Sequence, residues 1–317
     1  MIGLVGNTGF VGTNLENSIS FDCSFNSSNI ESIKGKEFDL LICAAAPGSM
    51  IYANSNGQED LSGIKALLVN LKKCKAKRFV LISTIAVFKD FSEGNSEESL
   101  EFEKELDYGV NRRYLERELE SCFDNVHILR LPSLFGLGLK KNFLFDLYNP
   151  MPSFLRKDRL SLVLKTIPIK DRDAIAKFFC RKDLNNFYYL DREIYNHYTN
   201  KKAIEERLYE NGLSSIFFHS HKSSYQFYNL NALWDDILII IRSGVELVHL
   251  ASPPVSVSEV HRYICGYPMP ETKVNVHYED LRTKHSALWS SPNPYIQTVG
   301  SSLAEIKIFT KNLENCN

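Results

Sequence analysis

The residues best placed for chemistry come first in the chain. Gly6-Asn7-Thr8-Gly9-Phe10-Val11-Gly12 reads G-x-x-G-x-x-G directly after the apolar run Ile2–Val5. Glycine permits a tight turn and lets backbone N–H groups approach a pyrophosphate at a helix N-terminus, where the helix dipole favours an anion. A motif between a first strand and a first helix is where a dinucleotide site must lie. Gly6, Thr8, Gly9, Phe10, Val11 and Gly12 are therefore candidate pyrophosphate contacts. After the next strand the chain reads Asn26-Ser27-Ser28-Asn29, without the Asp or Glu that would bind an adenosine ribose. No anionic group there repels a 2′-phosphate, and small polar groups can bond one. The cofactor is NAD or NADP, with a lean to NADP and Asn26 as its contact.

The second group of residues is Tyr108-Gly109-Val110-Asn111-Arg112 at a helix start. The i, i+4 spacing puts Tyr108 and Arg112 on one helix face. A phenol is a poor base at its ordinary pKa of ~10, and a cation one turn away favours phenolate. The strand Phe79–Ser83 continues into Thr84-Ile85-Ala86-Val87-Phe88, with Thr84 twenty-four residues before Tyr108.

Together these motifs resemble the extended branch of the short-chain dehydrogenase/reductase superfamily, the NAD-dependent epimerase/dehydratase family that modifies nucleotide sugars. The resemblance implies a Ser/Thr…Tyr-x-x-x-Lys site. Tyr108 would be the acid/base, Thr84 would hold the substrate oxygen, and Arg112 would tune the phenol and bind the ribose. Arg112 stands where Lys is usual, and guanidinium does not release a proton, so a Lys-type relay is unavailable. Arg130-Leu131-Pro132-Ser133-Leu134-Phe135-Gly136 resembles a family segment whose backbone lies beside the nicotinamide, which makes Leu131, Pro132 and Ser133 cofactor contacts. Ala44-Ala45-Ala46, closing the third strand, is a further cofactor-facing stretch. Asn142, after Lys140 and Lys141, resembles the Asn that meets a nucleotide-sugar diphosphate, and Gln226 and Arg282 are further substrate candidates. A dehydratase would carry Asp-Glu after Thr84, and Ile85 and Ala86 cannot exchange protons. The resemblance thus implies 4-keto reduction or 4-epimerisation of a nucleotide-activated sugar by a cytoplasmic homodimer, built through helices near 60–72 and 108–121. The Arg112 exchange motivates an alternative: a dinucleotide-binding regulatory or assembly protein with a decayed site.

Alternating strands and helices must position these groups. Strands are predicted at Ile2–Val5, Phe21–Phe25, Asp39–Cys43, Phe79–Ser83, Val126–Leu131 and Glu246–Leu250. Helices are predicted near Thr13–Ser18, Gln58–Lys73, Tyr108–Cys122 and Leu233–Arg242. Continuous apolar strands alternating with helices imply a doubly wound parallel sheet covered on both faces, an α/β Rossmann fold. The expected division is a cofactor domain over 1–145, rejoined by 226–251, and a smaller mixed substrate region over 146–317, with helix-like stretches at Asp171–Cys180 and Lys201–Glu210. Ser256 with Glu259 reads as a capping box.

Composition narrows the class. Lys+Arg is 37 and Asp+Glu 38, a net charge of −1, so no basic excess marks a nucleic-acid binder. The purest apolar run, Ile237–Ile241, falls far short of the ~20 residues that span a bilayer, and the first residues lack the basic start of a signal peptide. Seven scattered cysteines (Cys23, Cys43, Cys74, Cys122, Cys180, Cys265, Cys316) form no C-x-x-C pair, so neither a metal site nor a disulfide framework is indicated. His219 and His221 read as surface or pocket histidines rather than ligands.

Overall fold

The computed structural model describes residues 1–179, 181–182, 187–291 and 293–314. Two cysteines, Cys180 and Cys316, lie outside the described residues; Cys23, Cys43, Cys74, Cys122 and Cys265 are free thiols. The chain divides into two units. The first comprises Met1–Leu139, Ser224–Val255 and Tyr278–Phe309; the second comprises Lys140–Ser223, Ser256–His277 and Thr310–Asn317.

The first unit is built on β1 (Ile2–Val5), α1 (Phe10–Ser18), β2 (Cys23–Phe25), β3 (Leu40–Cys43), α2 (Gly57–Leu71), β4 (Phe79–Thr84), α3 (Asp107–Glu120) and β5 (Val126–Leu131). It continues with β6 (Ser133–Phe135), β7 (Ser224–Asn229), α4 (Leu233–Ser243) and β8 (Leu247–His249). Six strands form one sheet in the order β8-β5-β4-β3-β1-β2, every pair parallel. This is the doubly wound α/β architecture expected from the alternation.

The strands bury both faces, and their side-chain alternation sorts residues to two layers. Leu4, Ile42, Val80, Ile82, Leu129 and Leu131 pack with Leu15 of α1 and with Ile237 and Ile240 of α4. Val5, Leu41, Cys43, Phe79, Leu81 and Ile128 face the other way, against Ile64, Leu68 and Leu71 of α2 and Leu115 and Leu119 of α3. Each fully buried Leu, Ile or Phe contributes about 1.5–3 kcal/mol. Gly244 ends α4 in the left-handed conformation (φ 71°).

In the second unit, the short strands Phe154–Arg156, Phe187–Tyr189 and Arg181–Lys182 pair antiparallel. The helices Lys157–Thr166, Ile169–Phe178 and Lys201–Glu210 pack Leu160, Val163, Ile175, Ile204 and Leu208 around Tyr195. The helix anticipated at Asp171–Cys180 therefore begins and ends two residues earlier. Ser256 caps the helix Val257–Cys265, its hydroxyl accepting from the Glu259 N–H at 3.0 Å.

The expected 146–317 substrate region is corrected by the C-terminal stretch. Tyr278–Phe309 groups with the sheet unit because Gln226 of β7 clamps it there. Gln226 is fully buried; its amide donates to the carbonyls of Ser252 (2.6 Å) and Leu281 (2.7 Å) and accepts from the Leu281 N–H (2.7 Å), while its own N–H donates to Glu279 (2.8 Å). With every polar atom spent inside the unit, Gln226 is not the substrate contact that the sequence suggested. Trp289 Nε1 donates to Asp236 of α4 at 2.6 Å, and the Ile296 N–H donates to the Ala251 carbonyl at 2.9 Å.

Replacing Gln226 with Ala strands buried backbone groups of Ser252 and Leu281. The expected loss is about 2–4 kcal/mol of stability, read as a lower midpoint in urea unfolding.

Candidate active site

The sheet order reverses between β1 and β3, and the glycine turn follows β1 at that reversal. Open α/β sheets bind ligands at such a switch point, beyond the carboxyl ends of the strands. Each glycine there has a distinct cause. Gly6 has φ 94°, and a Cβ would stand 2.6 Å from the Ala44 carbonyl. Gly12 brings α1 against β1, and its Cβ would fall 2.1 Å from Gly6 O. Gly9 has an ordinary extended conformation (φ −79°, ψ 167°), and its Cβ would meet Gly6 O at 3.3 Å and Ala44 O at 4.0 Å. The protein itself therefore has little need of glycine at position 9, which is exposed beside exposed Thr8. No side chain caps α1, so its first turn presents the N–H groups of Phe10, Val11 and Gly12. These observations fit a dinucleotide pyrophosphate.

The small residues Ala44, Ala45 and Ala46 follow β3, and the Ala44 N–H donates to the Val5 carbonyl at 2.8 Å. Asn26 ends β2 in a local turn: its side-chain oxygen accepts from the Ser28 N–H (2.9 Å), and Asn29 accepts from the Asn26 N–H (2.7 Å). Leu131 is the strand partner of Thr84, so Leu131-Pro132-Ser133 lies alongside the Thr84 end of the sheet.

Thr84 and Tyr108 come together at the end of β4. The Thr84 hydroxyl accepts from the Ala86 N–H (3.2 Å) and hydrogen-bonds the Tyr108 phenol. Gly109 makes the approach possible, since a Cβ there would sit 2.2 Å from the Ala86 carbonyl. The Tyr108 N–H donates to Asn54 at 2.8 Å.

Arg112 lies on the same face as Tyr108, as the spacing required. Its guanidinium is 4.5 Å from the Tyr108 ring centroid, and it is claimed by α2. Asp60 accepts from it twice, at 2.8 and 3.0 Å, the Pro47 carbonyl accepts at 2.5 Å, and Asn111 also donates to Asp60 at 2.9 Å. Burial alone would raise the Asp60 pKa, but hydrogen bonds from Arg112 and Asn111 outweigh it and hold the carboxyl below its usual range. Arg112 Nε is a buried donor with no hydrogen-bond partner among the described residues. Such an atom suits an acceptor such as a ribose hydroxyl. The expected lowering of the phenol pKa is corrected: burial pushes the Tyr108 phenol above 10, and the pull of Arg112 and Thr84 does not overcome it.

A second buried network holds α3 to the sheet. Glu116, fully buried, accepts from Ser83 (2.6 Å) and from Arg130 (2.9 and 2.7 Å). Ser83 neighbours Thr84, so this clamp sets the register between Thr84 and Tyr108. Asp60, Asn54, Gly109 and Glu116 were not singled out from the sequence, because none belongs to a spaced motif and their partners are distant in the chain.

Arg282 is ion-paired with Asp280 at 2.8 Å, which leaves its charge balanced rather than offered to a phosphate. Asn142 lies in the second unit at φ 104°, where it caps the short helix Phe143–Tyr148 by accepting from the Phe145 N–H (3.2 Å). Lys140 and Lys141 are exposed in the same unit. His219 pairs with Asp146 at 2.7 Å. Among the described residues no group of three His, Cys, Asp or Glu could hold a metal ion, and no helix is long and apolar enough to cross a membrane.

A glycine turn thus lies at the sheet's switch point, with the Thr84–Tyr108 pair two strands away. Residues 17–157 match the model of the NAD dependent epimerase/dehydratase family. No curated protein matches by sequence. Among solved structures, the fold is similar to RMD from Pseudomonas aeruginosa complexed with NADPH (TM-score 0.61, 14% identity, 98% of this chain and 99% of that one). It is also similar to the UDP-N-acetylglucosamine 4-epimerase from Methanobrevibacter ruminantium (0.62, 11%, 100% and 98%). A third is dTDP-4-dehydrorhamnose reductase from Bacillus anthracis in complex with NADP (0.60, 12%, 98% and 97%). At these identities the likeness is one of fold.

The glycines separate fold from binding. Gly9→Ala is expected to leave the melting temperature nearly unchanged while weakening NAD(P)H binding about tenfold or more, by calorimetric titration. Gly12→Ala is expected to cost about 2–4 kcal/mol of stability, because backbone must move.

Proposed function

We propose that the protein is an NAD(P)-dependent oxidoreductase or epimerase of a nucleotide-activated sugar, acting by 4-keto reduction or 4-epimerisation. The observation that carries this reading is the pairing of half-buried Thr84 with buried Tyr108 at the end of β4, two strands from the glycine turn. The similar folds add support, since they include a 4-epimerase in complex with a UDP-sugar and a reductase in complex with NADP. A bound nicotinamide would supply or accept the hydride. Tyr108 gives or takes the proton at the substrate oxygen, and Thr84 holds that oxygen against the phenol. Arg112 Nε donates to the cofactor ribose. Ile85 and Ala86 offer no acid or base for dehydration. Asn142, with Lys140 and Lys141, is assigned to the nucleotide diphosphate. NADP is favoured over NAD by the uncharged Asn26–Asn29 turn.

The same reading includes a cytoplasmic location, supported by free thiols, and a homodimer formed through α2 and α3. Both helices carry exposed outer faces, with Val69 of α2 56% exposed.

Purified protein given NADH or NADPH and a panel of 4-keto-sugar nucleotides is expected to turn over at least one of them. Tyr108→Phe should lower kcat about 10²–10⁴-fold, and Thr84→Val less. Tight cofactor binding with no turnover of any sugar, unaltered by Tyr108→Phe, would instead favour a dinucleotide-binding regulatory protein. Light scattering after gel filtration should give twice the chain mass; a monomer at working concentrations removes the dimer.

A further inference from the structure

We propose that Asp60 is a positioning residue that offsets the charge of Arg112 and so helps keep Tyr108 a proton donor, charging the resting site for reduction. This rests on the hydride-transfer reading above.

The geometry carries it. Arg112 and Asp60 have side chains 3% and 1% exposed and share two hydrogen bonds. In so dry a place neither charge is screened by solvent, and removing one partner leaves the other uncompensated. The guanidinium that stacks on the Tyr108 ring is thus half of a neutral pair. Its positive charge would favour phenolate, but a carboxylate within hydrogen-bond distance offsets that field. The groups facing the phenol from each packed element are few. Arg112 comes from α3, Asp60 from α2 behind it, and the Thr84 hydroxyl from β4. Ala53 and Asn54 from the helix Met50–Ser55, with Ala86 and Phe91, bring no charge. Burial is the dominant influence and favours the neutral phenol; Arg112 pulls the other way, and Asp60 offsets part of that pull.

The consequence is directional in pH. In reduction, the carbonyl carbon takes a hydride, with its two electrons, from a reduced nicotinamide dinucleotide, which is left oxidised. The carbonyl oxygen takes the Tyr108 proton, and water returns a proton to the phenolate. The form needed at the start is the neutral phenol, present throughout the neutral range. Oxidation of the alcohol must start from phenolate, which is scarce there, and Arg112 releases no proton to help. Reduction should therefore be flat with pH across neutrality and fall only at alkaline pH, while oxidation rises as pH increases.

The test titrates Tyr108 in the ligand-free protein by NMR of ¹³C-labelled tyrosine, its resonance assigned by loss in Tyr108→Phe. Asp60→Asn leaves the guanidinium uncompensated and should lower the phenol pKa by about one unit or more. The double variant Asp60→Asn/Arg112→Gln removes both charges and leaves no lone buried ion, so it should fold and titrate within about half a unit of wild type. A folded Asp60→Asn that titrates like wild type overturns the proposal. So does a double variant whose phenol pKa rises by about a unit or more, since Arg112 would then have been acting as a free cation. If Asp60→Asn does not fold, the double variant decides alone. The titration needs no substrate: absence of turnover with an intact titration pattern removes the functional reading, and turnover with the wrong pattern removes this one.

Discussion

An ion pair taken out of water is costly unless its hydrogen bonds are nearly all met, and the pair Asp60–Arg112 imposes that condition on everything around it. The carboxylate comes from α2 and the guanidinium from α3, so the two helices can lie in only one register. Pro47, from the segment after β3, supplies a carbonyl, and Asn111 supplies a further donor. Tyr108 follows, because it shares the helix face with Arg112 and lies under its guanidinium. The Glu116–Arg130–Ser83 clamp applies the same logic between α3 and the sheet, and it fastens the strand that ends in Thr84. Two buried charge networks, contributed by four elements, thus set one hydroxyl against one phenol.

The other half of the site needs closeness rather than charge. α1 approaches the end of β1 so nearly that Gly12 has no room for a side chain against Gly6 O. Gly6 has none against the strand end at Ala44. Asn14, 3% exposed, then ties α1 to the Leu137 backbone through both polar atoms of its amide. The result is an uncapped helix N-terminus at the place where strand order reverses, an electrostatic setting for an anion that asks no side-chain charge of the protein. A net charge of −1 is therefore no obstacle to a diphosphate ligand.

Much of the fold was legible in the sequence. Five of the six strands show as short apolar runs, Cys23–Phe25 being the weak one, and their period-2 sorting to two layers follows once both faces are covered. Gly244 and Ser256 end and begin helices by local conformation alone, so they too could be read directly. The candidate site was legible only in part. Tyr108 and Arg112 share a face because helical geometry puts them there. What Arg112 touches depends on Asp60, fifty-two residues earlier, and no spacing rule relates the two. Gln226 read as a polar residue near a pocket, yet it is consumed by backbone groups of Ser252 and Leu281. Arg282 read as a phosphate contact, yet it meets Asp280 two residues away. A polar side chain looks the same in sequence whether it faces a ligand or a carbonyl.

By itself the sequence determined the order of elements and the placement of the glycine turn, because these depend on local periodicity and sterics; the pairing of Thr84 with Tyr108 was implied only by the resemblance to a family motif. The tertiary structure alone decided the electrostatic state of that phenol. It is set by burial and by a carboxylate from another helix, and both are properties of packing that no short stretch of residues contains.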